Sequence, residues 1–249
     1  MTRAAIPLLS LALGATLLGA VGKSKVSVLV QEPGSHGGSA AGSIARALAV
    51  VSPSVPDMGD DHADALRRLQ DSEAGTYIGD ILLERDSALA RWPDRHGVPL
   101  KVWIQPEPAV PDFTPSYVQR VRDAFHEWNA IRLPVRFAFV GDSADADVHV
   151  SWIDHFEEPI SGRTRWARDD DWEITDANIV LAVHHHQGEQ LDDDAMCAMA
   201  LHEIGHLLGL DHTTDSSSIM APRVRVRELS DADRATVRLL YALPTGPLR

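Results

Sequence analysis

The sequence predicts an α+β fold. Three observations carry that expectation. Short stretches such as Leu100–Gln105 alternate apolar and polar residues with period two, as half-buried strands do. A longer stretch beginning at Thr114 carries Val118, Val121, Phe125 and Trp128 at spacings that put them on one helical face. The stretch from His202 to His212 makes chemical sense only on a helix that ends at a glycine.

A chain of 249 residues allows one or two domains, and its 44% apolar share is ordinary for a globular protein. The first residues read as a targeting segment. Arg3 gives a positive start, residues 4–21 are almost wholly apolar, and small residues at Ala20 and Gly22 offer a cleavage site. The run is also long enough to span a bilayer, so residues 1–22 are either a signal peptide or an N-terminal membrane anchor. The first reading makes the protein secreted or periplasmic, the second membrane-anchored. Residues 23–90 follow as a linker with a small helical pro-segment or spacer. Residues 31–43 are rich in Gly, Ser and Ala, residues 62–70 suggest a helix, and residues 76–91 suggest another through Tyr77, Ile78, Ile81, Leu82 and Leu89.

The texture changes at Trp92-Pro93, and residues 91–243 read as the main domain. After the strand at 100–105, Thr114 is a helix cap and Pro115 the first helical residue. Further strands are expected at 135–140, 147–152 and 177–183, with residues 157–171 a long polar stretch between the last two. Asp192, Asp193 and Asp194 suit the positive N-terminal end of the helix bearing His202. Ser230-Asp231-Ala232-Asp233 starts a final helix that Leu243-Pro244 ends, leaving 244–249 as a tail.

His202 and His206 are four residues apart, on one face of a helix and about 6 Å from each other. They can grip one zinc ion together. Glu203 lies about 100° round the helix, within reach of a metal-bound water without being a ligand itself. Catalytic zinc needs a third protein ligand and one open position. His212 supplies the ligand if the chain turns back at Gly209. Met220 follows eight residues later in a tight turn.

The spacing His202, Glu203, His206, Gly209, His212 and then Met220 resembles the metzincin motif with its Met-turn. Phe125-His126-Glu127-Trp128, residues 146–150 and Leu229–Asp233 resemble the matrixin branch, over roughly residues 91–243. The resemblance implies a zincin-like domain: a mixed twisted sheet, an active-site helix, a second long helix and a C-terminal helix. It implies a zinc-dependent endopeptidase with one catalytic Zn2+ held by His202, His206 and His212. Glu203 would be the general base, with Met220 an apolar floor under the histidines. It also suggests that residues 162–166 include a strand edge where substrate pairs.

The departures are equally specific. Residues 154–176 contain His155 but no matching histidine cluster, so no clear motif supports Ca2+ or a second Zn2+. The N-terminal region has no cysteine to occupy the zinc, and Asp57, Asp60 and Asp61 are either a substitute or solvated loop acids. Two other readings stay open: a catalytically silent zinc-stabilised binding domain, and a hydrolase of a non-peptide amide. Glu203 argues against the first, because a structural zinc site needs no general base.

The remaining candidates read as follows. Cys197, the one cysteine, falls on the stripe of Leu201, Ile204 and Leu208 and reads as core packing. His184, His185 and His186 read as an exposed strand end or a second metal site. Asp211 and Thr213 either orient His212 or form the turn. Arg223, Arg225 and Arg227 either favour acidic substrate groups or are solvated. A net charge of −13 argues against nucleic acid or an anionic membrane surface as the main partner. The expected partner is a peptide or protein substrate, and the expected state a monomer.

Overall fold

The computed structural model describes residues 27–30, 75–85 and 87–248. The apolar run 4–21, the helix expected at 62–70 and the acids Asp57, Asp60 and Asp61 lie outside the described residues. In chain order the elements are β1 (Ser27–Val30), α1 (Ile78–Glu84), β2 (Ala88–Leu89), β3 (Leu100–Ile104), α2 (Pro115–Asn129), β4 (Phe137–Phe139), β5 (Val148–Ile153), β6 (Gly162–Arg168), β7 (Ile174–Ala182), α3 (Asp193–Leu207), α4 (Asp231–Ala242) and β8 (Gly246–Pro247).

Six strands form one mixed sheet in the order β1-β6-β7-β5-β3-β4. β4, β3, β5 and β7 run parallel to their neighbours, and β6 runs antiparallel to β7. β1 pairs antiparallel with the far half of β6, with Val30 opposite Arg165 and Ser27 opposite Arg168. The alternation expected of β3 is present: Leu100, Val102 and Ile104 are buried and Lys101 is exposed. β5 repeats it with Val148, Val150 and Trp152 inward.

α2 begins at Pro115, whose missing N–H and fixed φ suit a first turn. Thr114 occupies the cap position, but its hydroxyl pairs with Ser116 Oγ (2.8 Å) rather than with the backbone. Tyr117, Val121, Ala124, Phe125 and Trp128 form the buried face, and α2 packs on α3. α3 in turn lies against β6 and β7, which places the histidine helix beside the antiparallel strand. Among the described residues no helix is long and apolar enough to cross a membrane.

Four expectations need correction. The folded body takes in residues before 91: Tyr77, Ile78, Ile81, Leu89 and Ala90 are buried in the same core as α2 and α3. The helix expected over 76–91 covers only α1, because the chain turns at Ser87 (φ 65°) and enters β2. The tail is not loose either. Gly246 and Pro247 pair with Leu89 and Ala88, and Leu248 joins the core. Finally, the polar stretch 157–171 contains β6. Its inward residues are Gly162, Thr164 and Trp166 and its outward ones include Arg163 and Arg165, so the alternation is real but carries few aliphatic residues.

Candidate metal centre and active site

The local sequence fixes α3 firmly. Asp192 caps it by accepting the Ala195 N–H (2.6 Å), and Asp193 and Asp194 sit in the positive first turn. Two buried indoles hold the helix carbonyls: Trp128 Nε1 donates to Leu201 O (3.0 Å) and Trp92 Nε1 to Leu207 O (2.9 Å). The helix stops at Leu208. Gly209, at φ 100°, donates to His206 O (3.0 Å), and Leu210 donates to Gly205 O (3.0 Å). That pair of bonds is a Schellman turn, and a side chain at 209 would collide with the Ala90 carbonyl. The turn brings His212 back over the helix.

The three histidines meet through their Nε2 atoms. His202 Nε2 lies 3.1 Å from His206 Nε2 and 3.3 Å from His212 Nε2. Backbone carbonyls face two of the opposite nitrogens: Ile219 O lies 2.7 Å from His202 Nδ1, and Leu210 O lies 3.0 Å from His206 Nδ1. A carbonyl can only accept, so the Nδ1 atoms carry the protons and the Nε2 lone pairs point inward. Facing lone pairs repel unless a cation sits between them. Zinc–nitrogen bonds of about 2.0–2.1 Å in a tetrahedron place ligand nitrogens about 3.3–3.4 Å apart, close to the spacing found. The donor set and its geometry therefore fit zinc.

Burial keeps the imidazoles neutral. It lowers the pKa of His202, and it pushes that of His206 well down with help from the neighbouring His202 and His212. Burial, and then His202, bring His212 to about 4. Neutral imidazole is the ligand form.

Glu203 is 3% exposed beside them. Thr164 Oγ1 lies 2.6 Å from Glu203 Oε2 and 2.9 Å from Glu203 O. On the same strand face, a Cβ at Gly162 would overlap the Glu203 carboxylate. Burial raises the Glu203 pKa to about 7, against the lowering effects of the Thr164 hydrogen bond and the Arg163 charge. Glu203 and the three histidines line an open cleft of about 290 Å³, together with Ile160, Gly162, Met199, Pro222, Arg223 and Val224.

Beneath the histidines, Met220 is fully buried with its sulfur against Gly205. The turn that carries it is tied to Asp233, a buried carboxylate with five donors. Tyr77 Oη (3.0 Å) and Ser218 Oγ (2.5 Å) reach Oδ1, and Ile219 N (3.1 Å), Ser230 N (2.7 Å) and Ser230 Oγ (2.7 Å) reach Oδ2. Asp233 is also the third residue of the α4 capping box, so one side chain starts a helix and fixes the Met220 turn.

Asp211 and Thr213 turn away from the histidines. Asp211 forms a buried ion pair with Arg85, and Thr213 Oγ1 donates to Asp80 Oδ2 (2.9 Å). Both therefore fasten the His212 loop to the α1 segment. The guanidinium of Arg85 also lies over Trp166, 5.2 Å from the ring. His184 bridges Asp154 (2.7 Å) and Asp112 (3.3 Å), His185 Nδ1 pairs with Ser161 (2.9 Å), and His186 Nδ1 faces Phe156 O (3.1 Å). The three thus have separate local partners. Cys197 packs half-buried against the core, and burial raises its thiol pKa. Arg227 pairs with Asp194 (2.7 Å), while Arg223 lines the cleft.

Sequence reasoning named the histidines, Glu203 and Met220. It missed Thr164, the Asp233 hub and the Arg85–Asp211 pair. The only signals were Gly-x-Thr at the start of β6 and an acid at the third position of a helix.

Comparison with known proteins agrees with this geometry. Residues 154–242 match the Matrixin family model. That stretch of the chain is thus similar to the matrixins. The chain is 30% identical over 149 residues to Metalloendoproteinase 1-MMP of Arabidopsis thaliana, covering 51% of this chain and 38% of that protein. It is 31% identical over 114 residues to human Matrix metalloproteinase-16, covering 43% and 17%. It is 25% identical over 165 residues to human Neutrophil collagenase, covering 56% and 32%. The chain thus spans well under half the length of each of these relatives.

Proposed function

We propose that this domain is a zinc-dependent endopeptidase that acts as a monomer on peptide or protein substrates. The observation that carries the reading is the convergence of three Nε2 atoms in an open cleft with a buried carboxylate beside them. His202, His206 and His212 would hold the ion. Bound zinc would supply Lewis acidity, which lowers the pKa of water and polarises a carbonyl. Glu203 then takes a proton from the attacking water and returns it to the leaving amine. A pKa near 7 suits both halves of that task, because the carboxylate must gain and lose a proton at neutral pH. Met220 and Gly205 form the floor that keeps the histidines from shifting.

A substrate would lie extended along β6. Gly162, Arg163 and Thr164 line the cleft, while β1 pairs only with Arg165–Arg168. Main-chain hydrogen bonds to the strand edge would hold the peptide irrespective of its side chains.

The test is Glu203→Gln, which keeps the shape and removes the base. Turnover of a quenched peptide is expected to fall by about 100-fold or more with zinc content unchanged. A chelator is expected to stop the wild type, and added zinc to restore it. Wild-type turnover in Glu203→Gln would refute the mechanism.

A further inference from the structure

We propose that Thr164 is a positioning residue for Glu203, fixing where its carboxylate sits beside the three histidines. The inference rests on the endopeptidase reading of the same site.

Thr164 lies on the inward face of β6 between Gly162 and Trp166 and is 3% exposed. Its β-branched side chain has little χ1 freedom, so the hydroxyl is aimed rather than free to search. The hydroxyl faces two oxygens of one residue, Glu203 Oε2 at 2.6 Å and Glu203 O at 2.9 Å. A hydroxyl has one hydrogen and two lone pairs, so it cannot donate fully to both. The hydrogen goes to Oε2, the closer acceptor.

Two residues earlier on the same strand face is Gly162, where even a methyl group would overlap the carboxylate. Glu203 therefore packs against the bare strand backbone at 162 and the hydroxyl at 164. No described side chain donates to Oε1, which leaves that oxygen for the cleft. Valine at 164 would match the shape and offer no hydrogen-bond partner. Serine would keep the hydroxyl.

The experiment uses the full chain with zinc, a quenched peptide, and the variants Thr164→Val, Thr164→Ser and Glu203→Gln. Metal content and melting temperature are measured on each. For Thr164→Val, kcat is expected to fall by about 10-fold or more, with KM and zinc content near wild type. Thr164→Ser is expected to recover most of the loss. Thr164→Val added to Glu203→Gln should change the residual rate little, because the base it positions is gone. The inference is overturned if Thr164→Val keeps wild-type kcat, if its lower rate tracks lost zinc or raised KM, or if Thr164→Ser is as slow as Thr164→Val. A collapse in Glu203→Gln with normal Thr164→Val would sink this inference alone. Normal turnover in Glu203→Gln would overturn the endopeptidase reading and this inference with it.

Discussion

Asp233 is the residue whose loss should couple the fold to the metal centre most visibly. It is fully buried and accepts hydrogen bonds from Tyr77, Ser218, Ile219 and Ser230. Asp233→Ala would strand the Tyr77 hydroxyl, the Ser218 hydroxyl and the Ile219 N–H in the interior. At about 1–3 kcal/mol for each unsatisfied buried group, the loss is about 3–9 kcal/mol, comparable with the whole stability of a domain. Asp233→Asn is the more informative change. The amide oxygen can face the two fixed donors, Ile219 N and Ser230 N, while the amide nitrogen faces hydroxyls that can rotate. What is lost is mainly the strengthening that charge gives these bonds, about 1 kcal/mol apiece for two or three of them, or about 2–3 kcal/mol in total. Ile219 also carries the carbonyl that faces His202 Nδ1, so a loosened turn frees that ring. Urea unfolding of the metal-free protein and zinc competition with a chromophoric chelator measure the two effects. We expect a lower midpoint together with a zinc affinity weaker by about 10-fold or more. A midpoint and an affinity both equal to wild type would refute the view that Asp233 fastens the Met220 turn.

Two further outcomes follow from burial. His212 falls from about 6.5 unfolded to about 4 folded, so between those values the unfolded chain binds the extra proton and stability declines as pH falls. For His212 this amounts to about 3 kcal/mol, and His202 and His206 act in the same direction. Glu203, raised to about 7, acts oppositely: its contribution is present below about 4.5 and is lost as pH rises to about 7. Three groups outweigh one, so the urea midpoint of metal-free protein should drop from pH 6.5 to pH 4, and less steeply in His212→Gln. A flat profile, or an equal slope in that variant, would contradict the burial argument. Truncation at residue 91 should abolish stable folding, whereas truncation at residue 75 should not. The first removes Tyr77, Ile78, Ile81 and Leu89 from the core, at about 2–5 kcal/mol for each large aliphatic side chain, and leaves Asp211 without Arg85. Thermal melts of the two truncated chains decide it.

What could be read from the sequence was what is local. The pair His202 and His206 comes from a four-residue helical spacing and His212 from one glycine-ended turn, so eleven residues define the three-histidine cluster. The strand β3 showed its period because its inward positions are aliphatic, and β7 showed as an apolar run. β6 stayed hidden among polar residues because its inward face carries Gly162 and Thr164, residues selected by what they touch on α3 rather than by apolarity. The boundary at residue 91 was misplaced for a similar reason. α1 is a short helix with two fully buried isoleucines, and nothing local reveals that Tyr77 reaches Asp233 across 156 positions.

These hidden contacts share one geometry. The histidines lie on α3 and its C-terminal turn, but each element that limits their movement comes from elsewhere in the chain. Trp92 and Trp128 hold the α3 carbonyls, and Arg85 holds Asp211 next to His212. Asp233 holds the turn whose Ile219 carbonyl faces His202. Ligand nitrogens set to within a few tenths of an ångström cannot be kept there by a fifteen-residue helix alone, since isolated helices of that length are only marginally stable. The rigidity must come from tertiary contacts. The spacing motif therefore specifies which atoms meet, and the long-range polar contacts specify how tightly they are held.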